Sequence, residues 1–390
     1  MGVLLSVTGS FVTSVARAAE VSTIAAVTLV AALWSASSAL AAYSSATQGS
    51  YTATVSEAVE LSGLVASPTY PNWYWTHSDG WRSSDSFAAC SGLTDSALAE
   101  CQQVQRTRIW ALKIDPITRK VTESRSFSLS NPAWALDPVI AQNNDWEDIA
   151  LSPPRDGGAA NLVLGALGNA EQNRVYDANG RDITCSTRRL IELREPNLSD
   201  PDAATWTPWK IYDIKNPVGL GGVTSCNFES LMVSDDGTGT PTAYFVTKTQ
   251  RKLFARSLEA STGRDPGTLP AAAGSGQPYE AAVRYLGAVK DAVGLQVTAA
   301  DTNGNYASLL IRKTAKNPCQ ILTWPITSSG LGAALTGTSP AKSTVTCNNM
   351  AEGLTYVRDT VDPSVVTNDL TAISDTNGGS KFQYWYYPNS

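Results

Sequence analysis

Three glutamates are the residues of this sequence best suited to chemistry. Glu147, Glu229 and Glu352 each stand just before an apolar stretch in a repeated segment. Carboxylate oxygens from separate loops suit a hard cation, so the three together predict a calcium site. The alternative is that each carboxylate accepts backbone N–H bonds and locks one repeat to the next, with no metal present.

Two basic side chains are predicted to lie beside these glutamates. Lys248 and Arg312 each follow a β-type run in a later part of a repeat. Carboxylates that share a confined space repel one another and need a counter-charge, which either a cation or Lys248 with Arg312 can supply. The same two side chains are predicted to bind the anionic oxygens of a substrate.

The only histidine of the chain is His77, and Asp79 is close enough in sequence to orient it. This pair predicts a general acid or base. The alternative is a structural loop histidine beside Trp73, Trp75 and Trp81. One histidine excludes a zinc site built from several imidazoles. The sequence also lacks the G-x-S-x-G, P-loop and H-E-x-x-H motifs of serine hydrolases, nucleotide-binding proteins and zincins.

The elements that position these residues repeat along the chain, with a small or acidic residue before an apolar stretch. The segments are Leu61–Pro68, Trp146–Pro153, Phe228–Asp235, Val293–Ala300 and Ala351–Arg358. We take Leu64, Ile149, Leu231, Leu295 and Leu354 as equivalent, which gives units of 59 to 85 residues.

Each unit also contains aromatic and β-branched runs broken by Gly, Pro, Asn and Asp, which indicate further strands. Those of the first unit are Trp73–His77, Arg108–Asp115 and Val121–Leu129, and those of the third are Thr242–Thr249, Leu253–Ser257 and Val283–Val289. Four strands per unit predict an all-β fold, a β-propeller of five four-stranded blades, with room for a degenerate sixth.

The last unit has room for only two strands after its first segment, Leu370–Ser374 and Phe382–Tyr387. We expect Tyr51–Val55 to supply the missing strand and to close the ring by pairing the two ends of the chain. Closure would also protect sheet edges from aggregation.

In such a blade, the start of the innermost strand and the end of the second strand lie at the same end of the propeller, here called the top face. The strand starts predicted there are Ser62, Glu147, Glu229, Val293 and Glu352. The second-strand ends predicted there are His77, Asp79, Asn169, Lys248, Arg312, Lys313 and Asp375.

The six cysteines form an even set, which is typical of an exported protein with disulfides. Their places in the repeat predict that Cys185–Cys226 and Cys319–Cys347 each tie the loop of one blade to the start of the next. Cys90–Cys101 is predicted to close a local loop.

Residues 1–41 read as a secretory signal, because the apolar run Ile24–Trp34 is followed by the cleavage-type sequence Ala39-Leu40-Ala41. The alternative is an uncleaved anchor. Residues 42–390 are then one secreted, extracellular propeller domain, expected to be a monomer without membrane contact after cleavage. The net charge of −6 gives no reason to expect a nucleic-acid partner. Asn197-Leu198-Ser199 is an N-glycosylation sequon.

Three segments resemble a group of secreted, largely uncharacterised microbial β-propellers, distantly related to phytase-like and esterase-like propellers. They are Pro71–Gly80 (PNWYWTHSDG), Arg108–Asp115 (RIWALKID) and Asn144–Pro153 (NDWEDIALSP). The resemblance implies a top face carrying His77, Asp79, Asp145, Glu147 and Asp148. Where the family has G-D-I-G-D-N, this chain has Gly165–Ala170 (GALGNA), so both aspartates of that motif are lost.

Together these features predict a secreted propeller whose acidic top face hydrolyses phosphate or other esters with calcium. In that hypothesis Glu147, Glu229 and Glu352 hold the metal, Lys248 and Arg312 bind the substrate, and His77 with Asp79 transfers the proton. The alternative is a non-catalytic module that binds a small molecule, a glycan or a protein. A structural wall or surface protein is the third reading.

Overall fold

The structure is a computed structural model. It describes residues 43, 51–54, 61–78, 90–130, 145–155, 160–168, 188–214, 227–235, 239–265, 283–292, 295–312, 319–347, 351–375 and 381–389. The chain divides into two units, 1–41 and 42–390, and all described residues belong to the second. The predicted signal segment therefore lies outside the described residues.

The described strands form five sheets, and each sheet is one blade. Blade 1 contains β2 (Leu61–Ala66), β3 (Trp73–Ser78), β4 (Ile109–Ile114), β5 (Val121–Leu129) and the short β9 (Thr205–Trp206). Blade 2 contains β6 (Asp148–Ser152), β7 (Asn161–Ala166), β8 (Arg188–Arg194) and β10 (Pro208–Ile214). Blade 3 contains β11 (Phe228–Asp235), β12 (Pro241–Thr247), β13 (Lys252–Ser257) and β14 (Arg284–Ala288). Blade 4 contains β15 (Gln296–Thr302), β16 (Tyr306–Arg312), β17 (Cys319–Pro325) and β18 (Ala341–Val345). Blade 5 contains β19 (Ala351–Arg358), β20 (Val366–Asp375), β21 (Lys381–Tyr387) and β1 (Tyr51–Thr54).

The innermost strands form a closed ring, in which β2 contacts β6, β6 contacts β11, and so on through β15 and β19 back to β2. The ring is completed at the outer edge of blade 5, where Tyr51 of β1 pairs with Tyr384 of β21 in antiparallel register. The predicted five-bladed propeller and its closure by the two ends of the chain are confirmed.

Helices are few among the described residues. They are α1 (Asp95–Arg106), α2 (Gly330–Gly337) and one 3-10 turn (Ala260–Thr262). Within the described ranges, no helix has both the length and the apolar character that crossing a membrane requires.

Two of the three predicted disulfides lie in the described part, and both are confirmed. Cys90–Cys101 anchors α1, with Cα atoms 5.7 Å apart. Cys319–Cys347 joins the start of β17 to the segment that leads into blade 5, with Cα atoms 5.9 Å apart. Cys185 and Cys226 lie outside the described residues, so their pairing stays a prediction.

Large apolar side chains fill the space between neighbouring blades. Trp75 of blade 1, Trp146 at the start of blade 2 and Ile191 of β8 belong to one buried cluster, and each is fully buried. Burial of one large apolar side chain contributes about 1.5–3 kcal/mol relative to exposure. The packing of these large apolar side chains thus holds adjacent blades face to face.

Three of the innermost strands, β11, β15 and β19, have a β-bulge near their top end. The register shifts between Phe228 and Ser230, between Val297 and Ala299, and between Ala351 and Gly353. Each bulge leaves one extra residue on the inner strand. These extra residues are Glu229 in blade 3, Thr298 in blade 4 and Glu352 in blade 5.

This register corrects the alignment of the fourth unit. Thr298 takes the position that we assigned to Val293, and Ala300 takes the position that we assigned to Leu295. The apolar residues Val293 and Leu295 precede β15, which begins at Gln296. The sequence pattern was misleading because the true inner strand carries small alanines where the other blades have Leu or Ile.

A single buried carboxylate joins three of the inner strands. Asp148 Oδ1 accepts a hydrogen bond from Ile149 N at 2.9 Å, and its Oδ2 accepts from Leu231 N at 2.8 Å and from Ala300 N at 3.3 Å. These amides belong to blades 2, 3 and 4. Burial raises the pKa of Asp148 well above its usual range, and the three amides act in the opposite direction.

Other polar side chains link the remaining neighbouring blades. Ser62 Oγ donates to the Glu147 carbonyl at 2.7 Å and joins blade 1 to blade 2. Asp301 Oδ2 accepts from Tyr356 N and from Thr355 Oγ1, both at 2.8 Å, and joins blade 4 to blade 5. Thr355 Oγ1 in turn accepts from Ala66 N at 3.2 Å. All five blades are therefore linked through hydrogen bonds around the channel.

We predict that Asp148→Asn destabilises the protein by about 1–3 kcal/mol, because an amide group cannot accept from all three of Ile149, Leu231 and Ala300 and leaves a buried N–H without a partner. The free energy of unfolding in urea measures the effect. Asp202→Asn, at an exposed loop position, is the matched control. Equal stability of the two variants would contradict the role given to Asp148.

Candidate functional site

The three glutamates predicted from the sequence meet at the top of the channel. Glu147 directly precedes β6, and Glu229 and Glu352 occupy the bulges of β11 and β19. All three are buried, with 6%, 2% and 7% of their surfaces exposed. Ser62 and Thr298 stand at the corresponding positions of blades 1 and 4. The acidic residues thus come from three different blades.

Lys248 is the common counter-charge of this group. It follows β12, and its Nζ lies 2.6 Å from Glu229 Oε1. Burial on its own lowers the pKa of Lys248, but the charges of Glu229, Glu147 and Glu352 outweigh burial, so the pKa is raised. One ammonium group is therefore within electrostatic reach of carboxylates from three blades.

Arg312 is the second predicted basic residue, and the structure brings it to the same place. It ends β16, and its guanidinium nitrogen lies 4.0 Å from Glu352 Oε1. Lys248 and Arg312 thus lie beside the glutamates. This agrees with the prediction that the ends of the second strands and the starts of the innermost strands share the top face. Their role in substrate binding stays a prediction.

A further carboxylate and a further arginine belong to this region. A Cβ atom on Gly168 would collide with the carboxylates of both Asp145 and Glu147, so both groups pack against that glycine. Arg188 begins β8, and burial lowers its pKa while the charges of Asp145 and Glu147 raise it. Sequence reasoning named Asp145 through the family resemblance but missed Arg188. The double arginine of Arg188 and Arg189, directly before the apolar residues Leu190 and Ile191, was the signal available.

The charges of this cluster nearly balance. Among the described residues, the carboxylates are Asp145, Glu147, Glu229 and Glu352, and the cations are Arg188, Lys248 and Arg312. We call this set the channel-mouth cluster. It offers both strong hydrogen-bond acceptors and strong donors within a water-poor space, where such bonds are strengthened.

The calcium site predicted for the channel-mouth cluster stays a prediction. Its carboxylates already face cationic side chains, and Glu229 is bound directly by Lys248 at 2.6 Å. In the part of the chain that is described, no three acidic, histidine or cysteine side chains are placed to hold a metal ion. A cation would have to displace the Lys248 ammonium group to reach Glu229.

His77 lies on β3, where it pairs with Ser62 of β2. It is fully buried, and its ring packs edge-on against Trp146 with centroids 6.0 Å apart. Nδ1 lies 2.9 Å from the Ser78 carbonyl oxygen, which places the proton on Nδ1. Burial lowers the pKa of His77 to about 4, although the carbonyls of Ser78 and Asp148 act in the opposite direction.

This environment bears on the acid–base role predicted for His77. With a pKa of about 4, nearly all of the imidazole is neutral at pH 7, so it holds almost no proton to donate. Its predicted partner Asp79 lies outside the described residues, as do Asn169 and Lys313. The catalytic role of His77 and Asp79 stays a prediction.

The low pKa of His77 predicts a pH-dependent contribution to stability. The unfolded chain binds a proton below about pH 6.5, whereas the folded protein binds it only near pH 4. Stability is therefore lost as the pH falls through this window, by up to about 1.4 kcal/mol per pH unit. His77→Gln removes this contribution. As the pH falls from 7 to 4.5, the free energy of unfolding of the variant should therefore rise relative to that of the wild type.

Urea unfolding at pH 7, 5.5 and 4.5 measures that difference. Other titrating groups, such as Asp301 with its pKa raised to about 6 by burial, are common to both proteins and cancel. A difference that stays constant with pH would show that His77 titrates normally.

Comparisons with known proteins leave the function open. No protein-family model and no curated protein matches the chain, so the family suggested by the W-x-H and D-W-E-D-I-A segments stays a prediction. Among solved structures, an exo-β-1,3-galactanase from Clostridium thermocellum is 11% identical with a TM-score of 0.44. The similarity covers 84% of this chain and 59% of the galactanase, so this chain spans less than two thirds of that protein. An α-L-arabinofuranosidase from Lactobacillus brevis is 13% identical with a TM-score of 0.41, over 86% of this chain and 92% of the enzyme. Similarities this distant assign no function.

Proposed function

We propose that the protein binds a carbohydrate at the channel-mouth cluster. The observation that carries the proposal is the near balance of four carboxylates and three cations in the channel-mouth cluster, among the described residues. A strongly charged ligand would be repelled by part of this set, whereas a neutral polyhydroxylated ligand can use all of it. Each sugar hydroxyl both donates and accepts, which matches alternating carboxylate and cationic groups.

The residues of the cluster have distinct roles in this proposal. Glu147, Glu229 and Glu352 accept hydrogen bonds from sugar hydroxyls, and Lys248 and Arg312 donate to their oxygens. Such charge-assisted bonds are about twice as strong as neutral ones. The ion pair between Lys248 and Glu229 holds both groups in place before the ligand arrives, which lowers the entropic cost of binding.

Thr298 adds a polar group that the ligand can satisfy. Its hydroxyl oxygen is buried and has no hydrogen-bond partner among the described residues. A buried hydroxyl without a partner costs about 1–3 kcal/mol. A ligand hydroxyl at the channel mouth would remove that cost.

The proposal places the protein outside the cell. Disulfides such as Cys319–Cys347 persist in oxidising compartments, which include the exterior of the cell. The secretory signal predicted for residues 1–41 supports the same location.

We predict that wild-type protein binds neutral oligosaccharides in a glycan panel and that Glu352→Gln weakens this binding at least tenfold. The variant keeps the shape of the side chain but removes the charge that faces Arg312 and Lys248. Isothermal titration with the best panel ligand measures the change. Glu123→Gln, at a half-exposed site on β5, is the matched control.

Two outcomes would overturn the proposal. One is that no neutral glycan binds to wild-type protein. The other is that phosphorylated sugars bind better than the neutral sugars with the same skeleton, because this would show that the cations dominate the cluster.

Ester hydrolysis at the same site is the second candidate function. Lys248 and Arg312 could polarise a carbonyl or phosphoryl oxygen, and this favours an ester substrate. Calcium in this reaction stays a prediction. The ion would compete with Lys248 and Arg312 for the carboxylates that these side chains already face.

For this candidate we predict activity on a panel of carboxyl and phosphate esters that falls at least tenfold in Glu229→Gln. Equal background rates for wild type and variant would remove the ester hypothesis and leave glycan binding. Thermal melting with calcium and with a chelator tests the metal separately. A melting temperature that does not change, with no metal found by elemental analysis, would remove calcium.

A further inference from the structure

The structure contains a cleft of mixed polar and apolar lining at the end of the propeller opposite the channel-mouth cluster. It has a volume of about 140 Å³ and lies between blades 5 and 1, where the ring closes. Glu352 stands near the start of β19, whereas Val357 and Arg358 line this cleft from the end of the same strand. All residues that line the cleft belong to the described part of the chain. We call it the seam cleft.

Two arginines from different blades line the seam cleft. Arg119 comes from the turn between β4 and β5 of blade 1, and Arg358 comes from the end of β19 in blade 5. Neither forms a salt bridge with a carboxylate of the described residues. Arg358 donates to the Pro363 carbonyl at 2.7 Å. Burial lowers the pKa of Arg358, and the charges of Asp301 and Glu195 act in the opposite direction.

The position of Arg119 is fixed by an aromatic ring. The centre of its guanidinium group lies 3.5 Å from the centroid of the Tyr386 ring, which is a stacked geometry. The Tyr386 hydroxyl donates to Asp369 Oδ2, so the ring itself is held in place. The guanidinium group is also hydrogen-bonded to the Tyr386 side chain, and its remaining N–H groups can pair with a planar, two-oxygen acceptor.

The acidic residues of the seam cleft are already used within the protein. Asp359 Oδ1 accepts from Val361 N at 2.8 Å and from Asp362 N at 2.9 Å, where it stabilises a turn. Asp369 accepts from the Tyr386 hydroxyl and, at 2.9 Å, from Asn389 N. The carboxylates therefore do not neutralise the arginines directly.

We infer that the seam cleft binds a small monocarboxylate, with its two oxygens on the guanidinium group of Arg119 and Arg358 nearby. The geometry fits a carboxylate because its two oxygens match the edge of the guanidinium group. A monoanion is favoured over a dianion such as phosphate, because Asp359 and Asp369 also line the cleft and repel additional negative charge. This inference is independent of the carbohydrate proposal, which concerns the other end of the channel.

The experiment uses the whole protein with acetate, lactate, glucuronate and inorganic phosphate as probes, at constant ionic strength set with chloride. Binding is followed by NMR, through the chemical shift of the Arg119 Nε–H group. We expect lactate or glucuronate to saturate this signal at millimolar concentration. Arg119→Gln should weaken the binding of the same probe at least tenfold, as seen in ligand-observed spectra.

Lys342→Gln is the matched control, because it removes one positive charge from an exposed position on β18, outside the cleft. It should bind the probe as the wild type does. An equal loss in Arg119→Gln and Lys342→Gln would show a general effect of net charge and overturn the inference.

Three further results would also overturn it. They are the absence of a shift at Arg119 with every monocarboxylate, unchanged binding in Arg119→Gln, and tighter binding of phosphate than of lactate and glucuronate. If Arg119→Gln does not fold, the spectrum of the wild-type protein still tests the inference. The probe must then shift the Nε–H signal of Arg119 and not that of Arg125, which lies outside the seam cleft.

Discussion

The carboxylate of Asp148 is the interaction on which the rest of the structure depends. It is fully buried and accepts hydrogen bonds from the backbones of blades 2, 3 and 4. A propeller must hold its innermost strands at a fixed spacing although no hydrogen-bond ladder joins one blade to the next. Asp148 provides such a connection for three blades, and Asp301 and Ser62 extend it to the others. Because polar groups are costly to bury unless they are bonded, this arrangement stabilises a single ring geometry.

The candidate site follows from that ring. The inner strands of blades 3, 4 and 5 bulge at their top ends and leave Glu229, Thr298 and Glu352 as extra residues at the channel mouth. Three buried carboxylates this close would repel one another without a counter-charge. Lys248 supplies it from the end of the second strand of blade 3, and Arg312 supplies it from the equivalent place in blade 4. The same backbone geometry that closes the ring thus creates a cluster with balanced charge and strong donors and acceptors.

Much of this arrangement could be predicted from the sequence, because strands and their order depend on local patterns. The period of the repeat indicated five blades, Tyr51–Val55 was expected to complete the last one, and Cys319–Cys347 followed from equivalent positions in the repeat. The convergence of Glu147, Glu229 and Glu352 with Lys248 followed from the topology of a blade. These features need no knowledge of side-chain packing.

Other features depend on contacts between distant residues, and the sequence pattern could not show them. The inner strand of blade 4, β15, was placed too early in the sequence, because it carries small alanines at its inner positions. Arg188 was missed because only the fold brings it to Asp145 and Glu147. His77 was predicted as an acid or base, but the pattern could not show that it is fully buried and has a pKa of about 4. The contact of Arg119 with Tyr386 across the closure of the ring was equally hidden, since the two residues lie far apart in the sequence.

The central claim is that carboxylates from different blades share the single ammonium group of Lys248, and a double-mutant cycle tests it most directly. The cycle combines Lys248→Met with Glu352→Gln, which belong to blades 3 and 5, and measures the free energy of unfolding of all four proteins. Side chains that interact give a coupling energy of about 0.5–3 kcal/mol, which is the result this account predicts. Additivity within about 0.3 kcal/mol would show that the two groups do not interact and would contradict the shared channel-mouth cluster.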